Sequence, residues 1–116
     1  PITTKAEEGY HYAKREQIEP LITEKTKAIC CINPGNPTGT VLTRDEMKLI
    51  GEIAKEHDLW IIADEVYREF AYDGREATSF GQLDEFKDRV IIVDSVSKRH
   101  SACGARMHRE DFAYQL

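Results

Sequence analysis

Residues 28–67 read AICCINPGNPTGTVLTRDEMKLIGEIAKEHDLWIIADEVY, and this stretch decides the fold. It opens with a continuous apolar run, Ala28 to Ile32, and nears its end with a second, Leu59 to Ala63. Neither run alternates with polar residues, and both are rich in Ile. Strands of that kind are buried on both faces, as in parallel sheets covered by helices. Between the runs, Thr43 followed by Glu46 makes a capping box, in which each side chain satisfies a free N–H at a helix start. Met47, Ile50, Ile53 and Ala54 then recur at helical spacing and give one apolar stripe up to about His57. Strand, loop, helix, strand is a βαβ unit, and such crossovers are almost always right-handed.

A third apolar run, Val90 to Val93, extends the series. A weaker helical segment, about residues 15 to 22, precedes the first strand, and Pro20 suits it only near a helix start. Another short helix is expected over residues 82 to 88, with Leu83 and Phe86 facing the sheet. The chain carries no internal repeat and no low-complexity tract. The fold class is therefore α/β, with mainly parallel strands and flanking helices.

At 116 residues the chain is sized for one compact unit. Its net charge of -5 argues against a binder of nucleic acid, which needs a basic face. Cys30, Cys31 and Cys103 show neither paired metal spacing nor a disulfide framework, which points to a reducing compartment. Cys30 and Cys31 sit in an apolar run, where a thiol behaves as a small hydrophobe. The first residues lack a basic region followed by an apolar stretch, so no signal peptide is visible. Uninterrupted apolar runs reach only five residues, as in Leu59 to Ala63, far short of a membrane span. A soluble, cytoplasmic protein is expected.

The polar clusters fall in telling places. Asn33-Pro34-Gly35-Asn36-Pro37-Thr38-Gly39 follows the first run, Asp64-Glu65-Val66-Tyr67 the second, and Asp94-Ser95-Val96-Ser97-Lys98 the third. In an open α/β sheet, ligands bind beyond the carboxyl ends of the strands, so parallel strands would bring all three clusters to one crevice. Each cluster alone also has a plainer reading. Two prolines and two glycines in seven residues make a rigid loop, whether or not it binds anything. An acid directly after a buried strand must find a cation or several donors to offset desolvation, which singles out Asp64. Lys98, taken alone, is equally a surface lysine. His57, at a helix end, suits a dipole partner or a solvated side chain. His100 and Cys103 fit packing better than catalysis, Trp60, Phe70 and Tyr72 fit core or interface, and Arg68 and Arg75 fit the surface or a subunit contact.

Taken together these residues resemble a known family. Asn33-Pro34-x-Asn36-Pro37-Thr38-Gly39, Asp64-x-x-Tyr67, Ser95-x-Ser97-Lys98 and Gly104-x-Arg106 look like the class I/II aminotransferases. These are the aspartate-aminotransferase-like, fold type I enzymes that use pyridoxal 5'-phosphate (PLP). The match covers residues 1 to 106, which would be part of the PLP-binding large domain. In that family the chain is several times longer. The resemblance implies that Lys98 is the Schiff-base lysine and carries the proton between the substrate's α-carbon and the cofactor's C4′. A lysine suits both tasks, since its pKa falls readily when it is desolvated near other cations. By the same resemblance, Asp64 keeps the pyridine nitrogen protonated, which makes the ring a better electron sink. Tyr67 and Asn36 would hydrogen-bond the ring's 3′ oxygen. Ser95, Ser97 and Arg106 would hold the phosphate, Arg106 by its two-pronged fork. The Asn36–Pro37 bond would be cis. Catalytic roles thus fall to Lys98, Asp64 and Tyr67, with no metal, amino-acid and 2-oxo-acid substrates, and a homodimeric parent.

The family's upstream phosphate turn and ring-stacking aromatic have no counterpart here, nor has the downstream arginine that grips the substrate carboxylate. After Arg106 the family continues with an apolar residue, a glycine and a hydrophobic strand, whereas Met107-His108-Arg109-Glu110-Asp111 is polar. Residues 107 to 116 are left as an unassigned tail. Two rivals share the motifs: another fold type I PLP enzyme, such as a carbon–sulfur lyase, and a non-catalytic remnant of such a domain. A flavodoxin-like or phosphoryl-transfer domain using Asp64 would want further acids near the end of the first strand, and the sequence offers none.

Overall fold

The order of the apolar runs becomes the order of the sheet. A computed structural model of the chain describes residues 1–72, 74, 77–101, 103–105 and 108–112, the last five as backbone. Strands β1 (Ala28–Ile32), β2 (Trp60–Asp64) and β3 (Val90–Ser95) lie side by side and parallel. The register sets Ala28 against Trp60 and Ile61 against Val90. β2 is displaced by one residue from its apolar run, so that Asp64 occupies the last rung, between Ile32 and Val93. All three carboxyl ends therefore lie along one rim.

Three successive strands that step the same way through crossovers of one hand put every crossover on one face. Paired residues share a face, and on this one Cys31, Ile61, Ala63 and Val90 are buried. Against them packs α2 (Arg44–Glu56), through Met47, Ile50, Ile53 and Ala54. Its start is the expected capping box: the Glu46 N–H donates to Thr43 Oγ1, and the Thr43 N–H donates to Glu46 Oε2. On the opposite face Cys30, Ile32 and Trp60 are exposed.

Three expectations change in detail. The segment from Arg15 forms only the single turn α1 (Arg15–Ile18), followed by a 3₁₀ turn at Glu19–Leu21. Pro20 supplies no N–H and its ring crowds the preceding turn, so an α-helix does not run through it. Residues 82 to 88 do not form an α-helix either; 3₁₀ turns cover Phe80–Gln82 and Asp84–Arg89. Phe80, Leu83 and Phe86 are all buried, and side chains three apart stack on one side of a 3₁₀ turn, so this helix type satisfies them all. Last, the polar tail is partly a strand. After α3 (Val96–Arg99), β4 (His108–Phe112) runs antiparallel to β3, with Ser95 opposite His108. Its charged sequence suits an outermost strand, where charge discourages pairing with a further chain.

Candidate functional site

The first loop is built around a buried asparagine. Asn33 continues the helix-covered face of β1; its Oδ1 accepts the Leu42 N–H at 2.9 Å and its Nδ2 donates to the Thr78 carbonyl at 3.4 Å. Within the loop the Gly35 N–H donates to the Thr40 carbonyl, and the Gly39 N–H to the Gly35 carbonyl, both at 2.8 Å. Gly39 turns the chain at φ +68°, a conformation that side chains disfavour. Both Asn33–Pro34 and Asn36–Pro37 are cis, where the resemblance implied the second alone. Asn36 lies at the rim and is exposed.

Asn36 meets the second loop. Its Nδ2 donates to Tyr67 Oη at 3.1 Å, across a separation of 31 residues. Phe70 packs edge-on to the Tyr67 ring, with centroids 6.0 Å apart. The third loop arrives from the other side, with Lys98 Nζ 5.9 Å from the centre of the same ring. Asn36, Tyr67 and Lys98 are thus one cluster drawn from three loops. Asp64 ends β2 half-buried, three residues before Tyr67, and its Oδ1 accepts the Val66 N–H at 3.2 Å. Ser95 is buried and caps α3, its Oγ accepting the Ser97 N–H at 3.1 Å. Ser97 is half-buried, and its carbonyl accepts from Cys103 Sγ. Arg106 lies outside the described residues, as do Arg75, Met107 and the tail from 113 onward.

Two residues with structural tasks here escaped the sequence reading. Glu65, fully buried on the helix-covered face, accepts from Ser79 Oγ at 2.9 Å and from the Phe80 N–H at 2.8 Å, both on Oε1. Burial raises its pKa above the usual carboxylate range, against the lowering effect of those donors and of Arg68. It pins the segment after Tyr67 to the core. Arg99, beside Lys98, donates from Nη2 to Asp94 Oδ2 at 2.7 Å and lies 3.0 Å from a Glu69 carboxylate oxygen. The sequence signal for both was weak: a charged residue inside one motif and another just after a second, with partners not recognisable from spacing.

Other polar groups carry less. Burial pushes the Cys31 thiol up to about 12 and also raises Cys30, in agreement with their reading as small hydrophobes. Glu19, Glu56 and His57 approach one another, but Arg15 Nη1 lies 2.6 Å from both carboxylates and occupies their charge. An open apolar groove of about 590 Å³ follows β1 past Tyr10, Tyr12 and Leu21 and reaches Asn36 at one end. Among the described residues no helix is long and apolar enough to cross a membrane.

Parallel strands, connections on one face and three loops gathered at the carboxyl rim define an α/β domain of the open-sheet class, whose ligands bind beyond that rim as a rule. The particular family follows from comparison with known proteins. The family model for aminotransferase class I and II matches residues 2–107, and the chain belongs to that family. It is 42% identical over 102 residues to an aspartate aminotransferase of Bacillus subtilis, covering 87% of this chain and 26% of the relative. It is 36% identical to the arginine–pyruvate transaminase AruH of Pseudomonas aeruginosa, over 92% of this chain and 27% of that protein. In structure it resembles the aromatic aminotransferase of Pyrococcus horikoshii, with a TM-score of 0.86 and 34% identity, covering 92% of this chain and 28% of the other. The chain spans about a quarter of the length of the curated relatives it matches.

Proposed function

We propose that this chain is the cofactor-binding part of a PLP-dependent aminotransferase, which moves an amino group between an amino acid and a 2-oxo acid. The observation that carries the reading is the cluster of Asn36, Tyr67 and Lys98, with Asp64 at the end of the same strand that leads to Tyr67. The donor set fits the cofactor's functional groups: a primary amine for its aldehyde, a carboxylate for its ring nitrogen, and a phenol–amide pair for its ring hydroxyl. When bound, pyridoxal phosphate supplies an electron-withdrawing ring that stabilises negative charge on the substrate's α-carbon.

This chain's residues then have distinct tasks. Lys98 would hold the cofactor through its amine, and the same amine would serve as the base that takes the proton from the substrate's α-carbon. Asp64 keeps a proton on the ring nitrogen, because a carboxylate in a half-buried site favours a cationic partner. Asn36 and Tyr67, already hydrogen-bonded to one another, orient the ring through its hydroxyl. Ser95, Ser97 and Arg106 hold the phosphate. The relatives are named for aspartate, arginine–pyruvate and aromatic reactions, so the amino acid used is chosen by residues other than these motifs. A cytoplasmic homodimer completes the reading; unpaired cysteines support the compartment, and exposed Trp60 and Tyr72 support a covered face.

Mixing the protein with pyridoxal phosphate, reducing with borohydride and mapping the adduct by mass spectrometry tests the assignment. Label is expected on Lys98 and is expected to disappear in Lys98→Ala. Label on a different lysine, or equal labelling of the variant, would overturn it.

A further inference from the structure

We propose that Arg99 is a positioning residue, which turns Lys98 toward Tyr67 by clasping the far side of α3 to Asp94 and Glu69. The inference rests on Lys98 being the cofactor-binding amine and adds a residue that the motifs do not name. Lys98 sits on a helix of four residues, Val96–Arg99, whereas isolated helices need at least about 12 residues to persist in water. Such a turn keeps its shape only through what holds its two ends.

At the first end Ser95 Oγ accepts the Ser97 N–H at 3.1 Å. At the other, Arg99 Nη2 donates to Asp94 Oδ2 at 2.7 Å, while Asp94 Oδ1 accepts the Ser95 N–H, also at 2.7 Å. Asp94 therefore ties the last residue of the turn back to the strand residue from which the turn starts. A carboxylate oxygen of Glu69, two residues beyond Tyr67, lies 3.0 Å from Arg99 Nε, an ion-pair approach without a hydrogen bond, and brings the clasp beside the loop that carries the tyrosine. Arg99 and Asp94 are largely shielded from solvent, which strengthens the pair relative to a fully exposed one.

Direction follows from helix geometry. Successive residues in a helix are rotated by about 100°. Fixing Arg99 against Asp94 thus sets the side from which Lys98 projects, and Lys98 Nζ does lie 5.9 Å from the Tyr67 ring centre. A lysine stem left free would sample many rotamers, and a reacting amine gains rate from being held in place.

The test uses the full gene product containing this sequence, with borohydride-fixed pyridoxal phosphate on Lys98 read as a rate of capture at limiting cofactor. Arg99→Ala is expected to slow capture at Lys98 about tenfold, Asp94→Asn to do the same, and Arg99→Lys to recover part of the loss. Circular dichroism and the melting temperature report folding alongside. Capture by Arg99→Ala at the wild-type rate would overturn the proposal. So would a loss that only tracks the folded fraction, or an Arg99→Lys variant no better than Arg99→Ala. Failure of the wild-type protein to label Lys98 at all would instead overturn the cofactor assignment, which separates the two ideas.

Discussion

Glu65 is the residue whose chemistry is most exposed to test. Its carboxylate is buried, and one oxygen serves two donors, Ser79 Oγ and the Phe80 N–H. Because its pKa is raised in the folded chain, the folded state binds its proton more tightly than the unfolded state does. The stabilising contribution is full below the ordinary glutamate value and is lost as pH rises through the raised one. Urea unfolding of the wild type should therefore show stability falling with pH just above the ordinary glutamate range. Glu65→Gln, which retains an oxygen for both donors, should flatten that slope. Glu65→Ala strands both donors and should cost about 1–3 kcal/mol at any pH. An unchanged slope in Glu65→Gln would show that another group titrates. Asp64 stood out in the sequence because it directly follows a buried run, and Lys98 only through the joint motif, since alone it reads equally as a surface lysine. Glu65 and Arg99 did not, because Ser79, Phe80 and Glu69 come from other loops and Asp94, five residues before Arg99, stands at no spacing that marks a contact.

At the level of elements, α2 was readable and the short helices were not, for one physical reason. A 13-residue amphipathic helix repeats its signal over several turns, and its capping box marks the start. Turns of three to six residues repeat nothing, and the spacing of Leu83 and Phe86 is close enough to α-helical to mislead. The β4 strand escaped notice because its pairing is made by backbone while its side chains are polar. One contact between elements was invisible in the sequence. A Cβ on Gly51, within α2, would sit 2.4 Å from the Phe86 ring. Helix propensity favours Gly51→Ala by about 1 kcal/mol, yet overpacking a core costs about 1–3 kcal/mol. Chemical denaturation should show Gly51→Ala to be the less stable protein. The same change made on top of Phe86→Ala should be neutral or stabilising, and identical effects in both backgrounds would refute the contact.

For the molecule as a whole, the crossovers cover one sheet face, and among the described residues the other face is only partly shielded. Trp60, the sole tryptophan, is 41% exposed there beside Cys30 and Ile32. Its fluorescence in this chain should be red-shifted and readily quenched by acrylamide. Sedimentation velocity should find concentration-dependent association that Trp60→Lys reduces, since contiguous exposed apolar surface drives self-contact. A blue-shifted, unquenchable tryptophan would mean that this face is already covered. The one-sided layout also divides labour. Substitutions along α2 should be felt as changes in melting temperature, and substitutions on the rim as changes in rate, so durability and chemistry can drift through evolution on separate residues. Asn33 and Glu65, rooted in the helix-covered layer but holding the rim's loops in shape, are where the two fates are joined.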